Sequence, residues 1–144
     1  MRHARMNHGC FAIYTNNIIT HVVVVGGGCQ DTTGNDSDCR NGTRKSTEIL
    51  SLANMTWSDG PEFPYHITQS KGVTSVQDDY LGYSIGGLEN GYGNTENQNF
   101  GEKKEVMGLE MSNGRLRWVS VGNMTTPRFS HGAVKAPMSL FPSC

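Results

Sequence analysis

The sequence has little charge and no long apolar run. Charged residues make up 17% of the 144 residues, and the formal net charge is −1. The basic residues are scattered, so the chain lacks the electrostatic footprint of a nucleic-acid-binding protein. No stretch approaches the roughly 18 consecutive apolar residues that a membrane-spanning helix needs. These absences argue against a nucleic-acid partner and against a membrane span in this chain.

Helical periodicity is also missing, whereas glycine is abundant. The chain has 18 Gly and 5 Pro, and its short apolar stretches are separated by Asn, Gly, Ser and Thr clusters. This pattern predicts an all-β fold. The expected strands lie near 9–14, 20–26, 47–53, 55–58, 72–77, 80–86, 104–111, 116–121 and 131–135.

The chain contains an internal repeat. An apolar run that ends in two glycines occurs twice, and other landmarks recur at nearly the same spacing of 60 to 61 residues or at about twice that spacing. Repetition of this kind indicates copies of one supersecondary unit, each unable to bury its apolar face alone. The recurring landmarks are Gly26-Gly27 with Gly86-Gly87, Trp57 with Trp118, and Arg5, His8 and Gly9 with Arg128, His131 and Gly132.

The order of these landmarks resembles the kelch repeat, in which each unit is a four-stranded antiparallel blade of a β-propeller. The first unit carries Arg5, His8, Gly9, Gly26, Gly27, Glu48 and Trp57 in the family's order. The second fits at Gly86, Gly87, Glu105 and Trp118, but its entry over 64–72 keeps only Gly72. The resemblance implies one blade over about 8–58, a second over about 72–121, and the start of a third unit over 124–144.

Two blades cannot close a ring, because propellers close with about four to eight. We therefore expect the remaining blades to lie outside this chain. The chain is then the C-terminal part of a longer product, a truncated gene model, or a protomer that associates with other copies. The first alternative is favoured because a short open array exposes apolar faces that terminal caps normally protect.

Four cysteines are present: Cys10, Cys29, Cys39 and Cys144. Cys29 and Cys39 bracket a polar loop that has few other means of ordering itself, so we predict a disulfide between them. Zinc binding is the competing interpretation, but no Cys-x-x-Cys or Cys/His spacing of that type occurs. Two unpaired cytosolic thiols are the third alternative, since compartment dictates pairing.

Four Asn-x-Ser/Thr motifs add a second indication of compartment. This motif is the acceptor for N-linked glycans, and all four copies fall in predicted loops or turns. Together with the predicted disulfide they favour a secreted or extracellular glycoprotein, with a cytoplasmic protein as the alternative. The candidate acceptors are Asn35, Asn41, Asn54 and Asn123.

The sequence contains little that indicates a catalytic or cofactor-binding site. No helix or Gly-Lys-Ser/Thr follows Gly26-Gly27-Gly28, so a phosphate-binding loop is disfavoured. The kelch fold is similar to that of galactose oxidase, a copper enzyme, but no His here pairs with a nucleophile or second ligand at a telling spacing. Asp31, Asp36 and Asp38 lack the order of a calcium loop. We predict no catalytic residue, cofactor or metal.

The sequence thus favours a non-catalytic module that binds a protein or peptide partner through its loops. In both units the longest loop follows the glycine pair, at 28–46 and 88–104. The resemblance implies that this loop contacts partners together with the junction loop between blades, which implicates residues 59–71 and 122–130 as neighbours. The alternatives are a cytosolic kelch adaptor of a ubiquitin ligase and a galactose-oxidase-like copper enzyme. The predicted contact residues are Arg40, Arg44, Lys45, Glu89, Tyr92 and Glu96.

Overall fold

The computed structural model describes residues 1–30, 36–40, 42–75, 79–89 and 101–135. These residues form an all-β fold of two antiparallel sheets, neither of them closed. No helix in the described ranges has the length and apolar character to cross a membrane. The strands are β1 (Gly9–Thr15), β2 (Ile18–Val25), β3 (Thr47–Ser51), β4 (Thr56–Asp59), β5 (Ile67–Thr68), β6 (Lys71–Thr74), β7 (Gly82–Glu89), β8 (Gly101–Ser112) and β9 (Arg115–Asn123).

The first sheet has the strand order β1-β2-β3-β4. A hairpin joins β1 to β2 at Asn16 and Asn17, both at positive φ, which asparagine tolerates better than most residues. Along β1 and β2 the side chains alternate between the two faces of the sheet. Phe11, Ile13 and Val23 are buried on one face, and that face meets the second sheet.

The second sheet contains five strands where four were expected. Its first strand is split into β5 and β6, which both pair with β7. The break falls at Gln69, whose φ of 56° is incompatible with an extended strand. The strand expected near 131–135 does not form: these residues have no strand pairing, and Lys135 contacts Ser75 through a side-chain hydrogen bond of 3.3 Å.

The core lies between the two sheets. Leu109 of β8 is fully buried against Phe11, Val23 and Ile49 of the first sheet. Trp118 bridges both halves of this core: its ring centroid is 6.1 Å from that of Phe11, and its indole N–H donates to Thr47 Oγ1 at 3.0 Å. Full burial of each such side chain contributes about 1.5–3 kcal/mol, so the interface between the sheets is a main source of stability.

The sequence repeat is also a repeat of backbone geometry. Gly26 and Gly27 have φ of 60° and 105°, and Gly86 and Gly87 have 57° and 112°. Gly27 N–H donates to the Ile67 carbonyl at 2.7 Å, and Gly87 N–H donates to the Arg128 carbonyl at 2.8 Å. Each glycine pair therefore holds the entry segment of the following unit.

Strand pairing changes how the first residues of the second unit align with those of the first unit. Gly9 pairs with Val25, and Lys71, not Gly72, pairs with Ile85 just before the second glycine pair. Asn7, Gln69 and Ser130 share a positive φ, which fixes the same alignment independently. The second unit therefore aligns with the first as follows: Ile67 with Arg5, Gln69 with Asn7, Ser70 with His8, and Lys71 with Gly9. The corresponding residues of the third unit are Arg128, Ser130, His131 and Gly132.

Candidate binding surface

The two loops that follow the glycine pairs are connected through one segment, residues 63–68. Phe63 N–H donates to the Lys45 carbonyl at 2.8 Å and Ile67 N–H to the Arg44 carbonyl at 3.0 Å. On its other side, Ile67 pairs with Glu89 at the base of the second loop. We call the surface around this segment the junction surface. It comprises Arg40, Lys45, Glu62, Tyr65, Glu89 and Lys103.

A disulfide closes part of the first loop. The Cα atoms of Cys29 and Cys39 are 5.8 Å apart and the two sulfurs are bonded, which confirms the predicted pair. Backbone bonds continue the loop, since Cys29 N–H donates to the Gly42 carbonyl at 3.0 Å. Cys10 is a free, exposed thiol, and Cys144 lies outside the described residues.

Arg44 organises the same loop from within. Its side chain is only 6% exposed and makes ion pairs with Asp36 at 2.5 Å and Asp38 at 3.1 Å. Asp38 also accepts the N–H groups of Lys45 and Ser46. Arg44 was predicted to contact a partner, but its guanidinium faces the loop, so we assign it a positioning role.

Hydrogen bonding keeps both carboxylates charged. The hydrogen bond from Arg44 lowers the pKa of Asp36. For Asp38, burial opposes ionisation, yet the hydrogen bonds from Ser46, Arg44 and the backbone outweigh it and lower the pKa. These carboxylates serve the loop's own structure, and within the described ranges no group of three or more His, Cys, Asp or Glu is placed to hold a metal.

The outer side of the junction surface carries accessible charge and one aromatic ring. Arg40 is exposed, and Lys45 makes an ion pair with the exposed Glu62 at 2.6 Å. The Lys103 ammonium lies 4.5 Å from the centroid of the Tyr65 ring and makes an ion pair with Glu89. Burial, followed by the charges of Glu105 and Glu89, raises the pKa of Tyr65, so the phenol stays neutral.

Only some of the other residues that the sequence singled out lie in the described part of the chain. Tyr92, Glu96, Asn35, Asn41 and Asp31 lie outside the described residues. Asn54 and Asn123 are exposed, as a glycan acceptor requires. Asn54 lies in the β3–β4 turn, at the end of the sheet away from the junction surface, and Asn123 lies at the end of β9 nearest to it.

The repeat-motif residues serve the framework. Arg5 and Glu48 form an ion pair at 2.7 Å in which neither side chain is exposed. In the second unit Met107, not Glu105, occupies the position of Glu48, because Met107 pairs with Ser84 as Glu48 pairs with Val24. Trp57 matches Trp118 in register, since it pairs with Leu50 as Trp118 pairs with Leu109.

The sequence implicated residues 59–71 as a whole, but Glu62, Tyr65 and Lys103 of the junction surface were not among the predicted contact residues. Nor was Phe63, which is buried beneath that surface. The Phe63 ring centroid is 5.0 Å from those of both Tyr65 and Trp118, and this cluster fixes the path of the segment. The available signal was the aromatic pair flanking Pro64, which a rigid turn between sheets can present on one side.

We expect the disulfide to stabilise the first loop by about 2–3 kcal/mol, because it closes a loop of about ten residues in the unfolded chain. The Cys29→Ser/Cys39→Ser variant should lose that much free energy of unfolding in a denaturant titration. Proteolysis between residues 28 and 46 should also become faster. Cys10→Ser is the control, and the same loss there would contradict the assignment.

The comparisons with known proteins show a similar fold and say nothing about function. No family model matches the chain, and no curated protein matches it. Similar solved structures include that of YjhT, with a TM-score of 0.56 and 19% sequence identity. The match covers 88% of this chain and 40% of YjhT, so the chain spans about two fifths of that protein. At this identity the likeness shows a shared fold alone.

Proposed function

We propose that the chain is part of a kelch-type propeller and acts as a non-catalytic protein-interaction module, with the junction surface as its contact region. The observation that carries the proposal is the position of residues 63–68 between the two loop bases. Through Lys45 and Glu89, this segment anchors both loops at the same end of the two sheets. Loops held side by side on a rigid framework are a common basis for recognition.

The chemistry of the surface favours a polar partner with one aromatic or apolar contact. Arg40 and the Lys45–Glu62 pair offer exposed charge, which gives specificity and association rate more than affinity. Tyr65 is half-buried and supplies the kind of aromatic contact that is enriched at interface hot spots.

An extracellular parent fits the same set of features. The Cys29–Cys39 disulfide is of a kind that persists in oxidising compartments, and the two described glycan acceptors, Asn54 and Asn123, are both exposed. We therefore place the proposed partner outside the cell or on its surface.

The test uses a photo-crosslinking residue at position 40 in one sample and at position 115 in another. Arg115 is exposed at the start of β9, at the far end of β8 from the junction surface. We expect extracellular proteins to be captured selectively from position 40. Binding of the captured partner should weaken about tenfold in Arg40→Glu/Lys45→Glu, a loss of about 1.4 kcal/mol.

Arg115→Glu is the matched control, because it makes the same charge reversal at the opposite end of the sheet. Its affinity should equal that of the unmodified chain. Equal weakening by both variants, or capture from both crosslinking positions alike, would rule out the junction surface as the contact region.

A further inference from the structure

A cleft opens between the two sheets at the end opposite the junction surface. Its volume is about 390 Å³, which lies within the range of pockets that hold small molecules. The cleft shares no residue with the junction surface. One wall comes from the first sheet and includes His21, Ser51 and Thr56, and the other comes from the second sheet and comprises Leu81, Met111 and Leu116.

Side-chain size explains why the cleft exists. Packed sheets lie about 10 Å apart, and in the core large side chains such as Leu109 fill that distance. Towards the open end the first sheet presents the short side chains of Ser51 and Ser58, so space remains between the sheets. Ile13 and Ile49, each 7% exposed, close the inner end.

Two polar groups of the first wall are available to a ligand. His21 and Ser51 pair directly on neighbouring strands, so their side chains lie side by side on the same face of the sheet. Neither His21 Nε2 nor Ser51 Oγ makes a hydrogen bond within the described part of the chain, and both atoms are accessible to solvent. The opposite wall is apolar.

The hydrogen bonds of Thr20 fix the tautomer of His21. Thr20 Oγ1 lies 3.4 Å from the Ile13 carbonyl oxygen, which can only accept, so the single hydroxyl proton of Thr20 is donated there. Thr15 Oγ1 at 3.2 Å and His21 Nδ1 at 3.0 Å must therefore both donate to Thr20 Oγ1. In a neutral imidazole the second nitrogen is then an acceptor, so His21 Nε2 offers a lone pair to the cleft.

We propose that this cleft binds a small, neutral aromatic molecule that carries an N–H or O–H donor. Two broad facing walls favour a flat ring, and the Met111 thioether is a favourable contact for an aromatic one. The donor of the ligand bonds to His21 Nε2, with the Ser51 hydroxyl as a second polar contact. A neutral ligand fits because the one carboxylate of the lining, Asp59, is already paired with Arg2. This site is independent of the partner proposed above.

The experiment compares indole with benzofuran, which has the same shape but an oxygen in place of the N–H. Each is titrated into the whole 144-residue chain while NMR follows the methyl resonances of Leu81, Met111 and Leu116. Indole should saturate the shifts with a dissociation constant on the order of 1 mM. Benzofuran should bind about fivefold more weakly, because it leaves His21 Nε2 without a donor. No saturation by indole up to about 10 mM, or equal affinities for the two probes, would overturn the proposal.

Three variants test the roles of the two walls. His21→Phe removes the acceptor, so it should weaken indole about fivefold and leave benzofuran unchanged, whereas His21→Gln retains an acceptor and should keep the preference for indole. Leu116→Ala removes part of the apolar wall and should weaken both probes alike, by about threefold.

Met55→Ala is the control for these variants. It removes a 68% exposed apolar side chain from the neighbouring β3–β4 turn, outside the cleft, and should change neither affinity. Thermal unfolding verifies that each variant is folded. A preference for indole that persists in His21→Phe, or equal weakening by Met55→Ala and Leu116→Ala, would rule out the cleft as the binding site.

Discussion

Replacing either Gly26 or Gly86 with alanine, Gly26→Ala or Gly86→Ala, should lower the free energy of unfolding by about 2–4 kcal/mol. The two glycines occupy equivalent positions in the two units and share the same backbone conformation. Both residues have φ near +60°, which strains any side chain. An added Cβ would also lie 2.3 Å from the Ile67 carbonyl oxygen at Gly26, and 2.4 Å from the Arg128 carbonyl oxygen at Gly86. Since both contacts involve backbone, the entry segment of the next unit would have to move. Urea titration measures the loss.

The internal control for this prediction is Gly122→Ala. Gly122 lies in β9 without a positive φ, and nothing lies within 4 Å of an added Cβ. We expect a change within about 0.5 kcal/mol there. Similar losses at Gly26 and Gly86 support the equivalence of the two units, and a neutral result at either one would contradict it.

The sequence predicted the fold class because its signals are local. The short apolar stretches, the Asn, Gly, Ser and Thr clusters between them, and the glycine pairs depend on near neighbours in the chain. The Cys29–Cys39 disulfide could be predicted for the same reason, because the short interval between the two cysteines limits how far apart they can lie. These predictions needed no knowledge of how the sheets pack.

The entry of the second unit was aligned incorrectly because its equivalence is geometric. Residues Ile67 and Lys71 share no side-chain chemistry with Arg5 and Gly9, and only strand register and the positive φ of Gln69 relate them. Gly72 looked like the repeat glycine, but it serves another purpose. An added Cβ there would collide with the backbone of Cys10 on the adjacent sheet.

Four of the six predicted contact residues lie in the described part of the chain: Arg40, Arg44, Lys45 and Glu89. Loop placement follows from topology, whereas the direction of each side chain depends on partners close in space. Arg44 illustrates the difference: an arginine in a polar loop suggests exposure, yet Asp36 and Asp38 lie where they can pair with it. Such pairing depends on the fold of the loop, and composition does not reveal it.

Two equivalent buried positions are filled differently in the two units: by an ion pair in the first and by two apolar side chains in the second. In the first unit Arg5 and Glu48 pair with no side-chain exposure, and Arg5 also donates to the carbonyls of Gly26 and Ser46. At the corresponding positions of the second unit stand Ile67 and Met107, which pack together in the core. Replacing a buried ion pair by well-packed apolar residues is often neutral, whereas removing one partner is costly.

We therefore expect Arg5→Ile and Glu48→Met to lower the free energy of unfolding by about 3–5 kcal/mol each, since each leaves one charge buried and unpaired. The double variant reproduces the Ile67–Met107 pair, so it should recover to within about 1–2 kcal/mol of the unmodified chain. The residual loss reflects the Gly26 carbonyl, left without its Arg5 donor, and the Arg2 N–H, left without its Glu48 acceptor. The control is the pair Arg2–Asp59, whose side chains are 54% and 68% exposed, and its truncation should cost less than about 1 kcal/mol. Urea titrations of the four proteins of the cycle give the coupling energy, and additive losses would show that the two positions do not act as a pair.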